Sequence, residues 1–208
     1  LPVAVPLLRS RNHDKNPRND VPVVTLTVGG NDLFGPIIAA CVMANPPSPA
    51  ACQAAIQAGF AGFAPNYTKI LAQLRLAAGP DAELITMTYY NPLPYCALGA
   101  NPAAGPFGDY VLEQVVTQPG VAPGFNGLIE TISAKYGATV ADTFGTLGTG
   151  DFVGGSDCLH PDTDGAASSR RGSRRSIRAQ RPDQTPDALP TRPGDDFLWR
   201  CERRSRSA

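Results

Sequence analysis

Residues 23–28, VVTLTV, form an almost unbroken apolar and β-branched run, and two glycines, Gly29 and Gly30, end it. Such a run suits a strand covered on both faces, as in a parallel sheet under helices. Asn31 and Asp32 follow at once, so two short polar side chains are expected at the strand's carboxyl end. In open α/β sheets ligands bind at that edge. A side-chain amide held there can donate to a developing oxyanion. The plainer reading of the same residues is a glycine turn with an Asx cap on the next helix.

Downstream the chain alternates helix and strand patterns. In AACQAAIQAGFAGFAPNYTKILAQLRLAA, apolar residues recur at helical spacing (Ile56, Phe60, Phe63, Tyr67, Ile70, Leu71, Leu74) until Gly79-Pro80 stops the pattern. Pro65 lies inside it and is a candidate kink. Glu83–Tyr90, ELITMTYY, reads as the next strand, so strand, helix and strand make a right-handed βαβ unit. Gly124–Tyr136 is a second helical pattern, with Leu128, Ile129 and Ile132 inward, and residues 137–142 give a short strand ending in Asp142. The fold class is α/β with a parallel sheet. The Pro/Gly-rich segment 93–106 leaves the carboxyl edge of the sheet, and Tyr89, Tyr90 and Tyr95 are pocket candidates by position.

A second chemical signal lies at Asp157-Cys158-Leu159-His160-Pro161. An Asp three residues before a His, after Gly154 and Gly155, lets the carboxylate fold back on the imidazole. That would fix the ring's tautomer and support a general base. The alternative is a surface loop in which both residues cap a turn. A metal site is not expected, because the only other histidine is His13, in a polar stretch read as solvated loop.

GGND after a buried strand, with DCLHP near the end of the α/β region, resembles the SGNH (GDSL-type) hydrolases over roughly Val21 to Gly165. The resemblance implies a three-layer α/β/α, flavodoxin-like parallel sheet and a carboxylic ester hydrolase working by Ser-His-Asp acyl transfer to water. It implies His160 as general base, Asp157 orienting it, Asn31 in the oxyanion hole and Gly30 beside it at the substrate. No cofactor and no metal are implied, and the partner is a small-molecule or lipid ester. The sequence departs from the family in one respect. The Gly-Asp-Ser block that carries the nucleophile, with its strand, is not recognisable before Asn31, where Ser10 is the sole serine. Ser48, Ser133 and Ser156 also lack a strand-to-turn setting. The chain is therefore read as an SGNH domain lacking its N-terminal strand and impaired as an enzyme. The alternative is a non-catalytic module that binds acyl ligands.

Charge is unevenly placed. Residues 1–164 hold seven Lys and Arg against thirteen Asp and Glu, whereas residues 165–208 hold eleven Arg against five acids. The acidic body argues against nucleic acid as the main partner; the basic end is the one feature pointing the other way. The boundary is drawn at 164/165. Beyond it the Arg, Ser and Pro content without helical spacing reads as a disordered tail, or as the product of a shifted reading frame in GC-rich DNA. No run is apolar enough to span a bilayer, and LPVAVPLL lacks the features of a signal peptide. Cys41 and Cys52 flank a Pro-rich loop that a disulfide would pin. Cys96 and Cys158 are expected at one sheet edge, where a second bridge could form, and Cys201 is left over. The resemblance suggests a secreted, disulfide-bearing protein; the alternative is reduced cysteines in a cytosolic one.

Overall fold

A computed structural model describes residues 1–46, 48–95, 101–116, 120–154 and 158–180. Among them are three parallel strands in the order β1-β2-β3: β1 (Val23–Leu26), β2 (Glu83–Met87) and β3 (Thr139–Ala141). Helix α1 (Ala4–Asn12) precedes β1. Helix α2 (Gly30–Ile37) follows it and runs into a π turn at Ile38–Val42. Crossover helices α3 (Pro49–Ala78) and α5 (Gly124–Lys135) join successive strands. Helix α4 (Ala104–Asp109) lies between β2 and α5, and α6 (Thr163–Gln180) follows β3.

Helix α3 starts where Ser48 caps it, accepting from the Ala51 N–H at 3.3 Å with Pro49 in the first turn, and it stops at Gly79, whose φ is +81°. It runs through Pro65 as one helix. Its apolar spacing becomes the core. Ile56, Phe60, Phe63, Tyr67 and Leu71 pack with Leu33 and Ile37 of α2 and with Phe125, Leu128, Ile129 and Ile132 of α5. Phe63 stacks on Tyr67 at 4.8 Å and meets Phe125 at 4.5 Å. At the far end of α3, Arg75 donates to the carbonyls of Gly79, Ala82, Tyr136 and Gly137, fastening α3 to the end of α5. One guanidinium thus supplies donors to four carbonyls around the end of α3, the end of α5 and the approach to β2.

Helix α1 buries Leu8 against Leu74, Ala77, Ala78 and Leu84. Asn12 fixes its end. The Asn12 Oδ1 accepts from the Val21 N–H, and its Nδ2 donates to the carbonyls of Val21 and Ala78. His13, expected in a solvated loop, is exposed but donates from Nε2 to the Ala77 carbonyl at 3.1 Å.

Three expectations are corrected. The strand expected over residues 23–28 pairs only at Val23–Leu26 and is not covered on both faces: Thr25 and Thr27 are exposed and Val23, Val24 and Leu26 half-buried. It lies at one edge of the described sheet, so its apolar composition exceeds its burial. The strand expected to reach Tyr90 stops at Met87, because the backbones of Thr88 and Tyr89 turn their hydrogen bonds to side chains and to the end of β3. Finally, the stretch from Gly165, expected to lack helical pattern, is helical as far as Gln180. The Asp162 carboxylate caps α6 by accepting from the N–H groups of Asp164 and Gly165. Gly165 and Gly172 give the helix a close fit, since a Cβ at either would strike Asp151 or Thr146. These small residues set against the body leave no hydrophobic periodicity to read in the sequence. Residues 181–208 lie outside the described residues.

Candidate active site

The carboxyl end of β1 is built from two glycines with different duties. Gly29 has φ +115°, and a Cβ there would run into the rings of Phe63 and Phe125. Only glycine fits that conformation in that space. Gly30 opens α2, and a Cβ on it would come to 3.0 Å from the Tyr89 ring. Asn31, next along, is exposed in the first turn of α2, beside exposed Asp32 and buried Leu33. The amide expected at the end of the strand is therefore carried on a helix start whose backbone is packed against aromatic rings.

His160 is reached by a different route. After β3, Asp142 accepts from the Thr88 hydroxyl at 2.9 Å and from the Phe144 N–H at 3.0 Å, anchoring the exit of that strand. The Gly-rich segment then folds on itself. Phe152 bridges Pro161 in antiparallel fashion, the Val153 N–H donates to the His160 carbonyl at 3.1 Å, and the Asp162 N–H to the Asp151 carbonyl at 2.9 Å. His160 is exposed on this narrow hairpin. Asp157, read as its orienting partner, lies outside the described residues, as do Ser156 and Cys96. Cys158 is disulfide-bonded, and a separate disulfide joins Cys41 to Cys52, as the flanked loop suggested.

Two consecutive tyrosines after β2 bring these segments to one edge. The Tyr89 hydroxyl accepts from the Gly30 N–H at 2.8 Å, one residue from Asn31. The Tyr90 hydroxyl donates to the Leu159 carbonyl at 3.0 Å, one residue from His160. Leu159 also packs with Phe34 of α2 against Ile38, Leu93 and Ala104. Aromatic rings continue along the rim: Phe34 meets Tyr89 edge-on at 5.8 Å, and Phe152 lies 5.7 Å from Tyr90 and stacks on Tyr95 at 5.2 Å. Burial pushes the Tyr89 hydroxyl above its ordinary pKa, so it stays protonated through neutral pH.

The model of the GDSL-like lipase/acylhydrolase family matches residues 4–167. The chain belongs to this family. Its fold is accordingly the three-layer α/β/α sheet of the GDSL hydrolases, here with a mostly helical composition around the parallel strands. Membership supports esterase or hydrolase activity in general and implies small-molecule esters as substrates. No curated protein matches the chain.

Three serines considered for the nucleophile have other commitments in this GDSL domain. The Ser10 hydroxyl donates to the Leu7 carbonyl, Ser48 caps α3, and Ser133 is fully buried between the hydroxyls of Tyr67 and Thr86 at 2.9 and 3.0 Å. Among the described residues, no three His, Cys, Asp or Glu side chains gather as metal ligands. A groove of about 340 Å³ lined by Ile56, Phe60, Ala64, Val115 and Leu128 runs beside α3, and neither Asn31 nor His160 lines it.

One residue that sequence reasoning passed over matters to the rim. Asn126 is 2% exposed, and its amide pairs with both backbone groups of Tyr89 while also donating to Glu113. It sits between Phe125 and Leu128 on a helix whose apolar residues drew attention away from it. A buried amide in the first turn of a crossover helix, opposite a strand end, was the available signal.

Proposed function

We propose that this chain carries the oxyanion and general-base parts of a GDSL-type carboxylic ester hydrolase. The Asn31 side-chain amide donates to the oxygen that becomes negative as the ester carbonyl turns tetrahedral. The His160 imidazole takes the proton of the attacking hydroxyl and returns it to the leaving alcohol, and Asp157 holds the ring in the required tautomer. Gly30 shapes the substrate side of the turn. Its N–H is already given to Tyr89, so its part is close approach rather than donation. The observation that supports this reading most is the pair of tyrosine bonds that gather residues 30 and 159 at one strand end.

The commitments of Ser10, Ser48 and Ser133 favour a second reading, a non-catalytic module that binds acyl ligands, since none of these three hydroxyls is placed as a nucleophile. The Cys41–Cys52 disulfide supports a secreted protein, because such bonds persist in oxidising compartments.

Hydrolysis of p-nitrophenyl butyrate separates the readings. The expected rate is low and falls little further in His160→Ala. Robust turnover that His160→Ala abolishes would mean that the chain holds a working nucleophile. In that case Asn31→Ala should lower kcat by roughly 10²–10³, the usual cost of one oxyanion donor.

A further inference from the structure

Helix α2 begins without a side chain of its own at the cap. Its N-cap is Gly29, and no local side chain accepts from the first-turn N–H groups. Four backbone donors at a helix start need partners from elsewhere. One of them, the Gly30 N–H, finds the Tyr89 hydroxyl at 2.8 Å, from a residue 59 positions away. Asn31 is the next residue of that same turn.

Tyr89 is itself held on every side. Its N–H donates to Asn126 Oδ1 at 2.6 Å, and its carbonyl accepts from Asn126 Nδ2 at 2.9 Å. The Asn126 amide is set in turn by donating to Glu113 Oε1 at 2.6 Å. The Tyr89 ring packs edge-on to Phe34 and tilted on Phe125 at 5.6 Å. A connected set of contacts therefore runs from Glu113 through Asn126 and Tyr89 to the backbone that bears Asn31.

From this we infer that Tyr89 is a positioning residue for the ester chemistry, its hydroxyl acting as a long-range cap that sets the direction in which the Asn31 amide points. The inference rests on the proposed role of Asn31. It adds that the direction of this amide is decided by the segment that follows β2 and by α5, not by the glycine turn alone. The hydroxyl accepts one bond and keeps its own proton, so it can serve as a cap without being ionised.

Tyr89→Phe is the test, because it deletes the hydroxyl and keeps the ring among Phe34 and Phe125. Two readouts are followed on the full chain: hydrogen exchange of the Gly30 amide, and the dissociation constant for butyrate, a carboxylate product, read from the Asn31 side-chain resonances or, where Asn31 is replaced, from neighbouring amides. The expected result is faster Gly30 exchange, a melting temperature within a few degrees of wild type, and butyrate binding weakened roughly two- to tenfold, the range of one neutral hydrogen bond. Asn31→Ala should weaken binding at least as much, and the double variant no more than Asn31→Ala alone, because Tyr89 acts through Asn31. Unchanged Gly30 exchange in Tyr89→Phe overturns the cap itself. Effects that add in the double variant overturn action through Asn31. Faster Gly30 exchange with butyrate binding indifferent to Asn31→Ala overturns the ester-site reading and reduces Tyr89 to a helix cap.

Discussion

Glu113 shows how one side chain behind the site couples to pH. Burial raises its carboxyl above the ordinary 4.5, Asn126 partly offsets this by donating to it, and the charges of Asp142, Glu130 and Asp109 add to the rise. A carboxyl whose folded pKa lies above its unfolded one favours the native state while protonated. Its contribution is complete below the unfolded pKa and is lost as pH rises through the folded value. Glu113→Gln keeps the acceptor for Asn126 and removes the charge. Thermal melts should therefore show the variant level with wild type near pH 4 and progressively more stable than wild type toward pH 7. A gap that is constant across that range would mean that Glu113 titrates alike in both states.

Among the elements, helices were easier to foresee than strand ends. α3 and α5 were legible because their apolar residues repeat at helical spacing and all meet one core. The sequence suggests longer β1 and β2 because β-branched and aromatic composition continues past the point where the strands end, and Thr27, Tyr89 and Tyr90 look like strand residues beyond it. α6 was missed because Gly165 and Gly172 dock it through close backbone approach, a contact without hydrophobic signature. The site divided in the same way. Asn31 and His160 could be named from GGND and DCLHP, whereas Asn126 and the partners of Tyr89 depend on distances between elements far apart in sequence. The Cys41–Cys52 bridge was visible in the spacing and ties the π turn after α2 to the first turns of α3 across 11 residues. Replacing both cysteines by serine should cost about 2–3 kcal/mol, the chain-entropy value for so short a loop. Urea denaturation without reductant measures it as the gap between wild type and variant; reductant, which also opens the disulfide at Cys158, should lower both and close that gap.

At the scale of the molecule, the described sheet presents β1 at its margin. Val23, Val24 and Leu26 are half-buried there, and Thr25 faces solvent. An exposed edge strand of this composition is a template for pairing with another chain. Thr25→Lys places a charge on that edge without touching the core. Light scattering should show slower self-association, while the melting temperature stays close to wild type, as for surface substitutions worth within about 0.5 kcal/mol. Equal association rates would mean that β1 is covered by other means.

The adjacency of Tyr89 and Tyr90 carries a last consequence. The two are consecutive in the chain just past the end of β2, so one dipeptide yokes Gly30 through one hydroxyl and Leu159 through the other. The two halves of the rim thus share a single hinge pin. Lengthening the chain by one residue between Met87 and Asn91 would carry at least one of the two hydroxyls away from its backbone partner. Tolerance to insertion must therefore be sought before Glu83 or beyond Tyr95, and not in the few residues between.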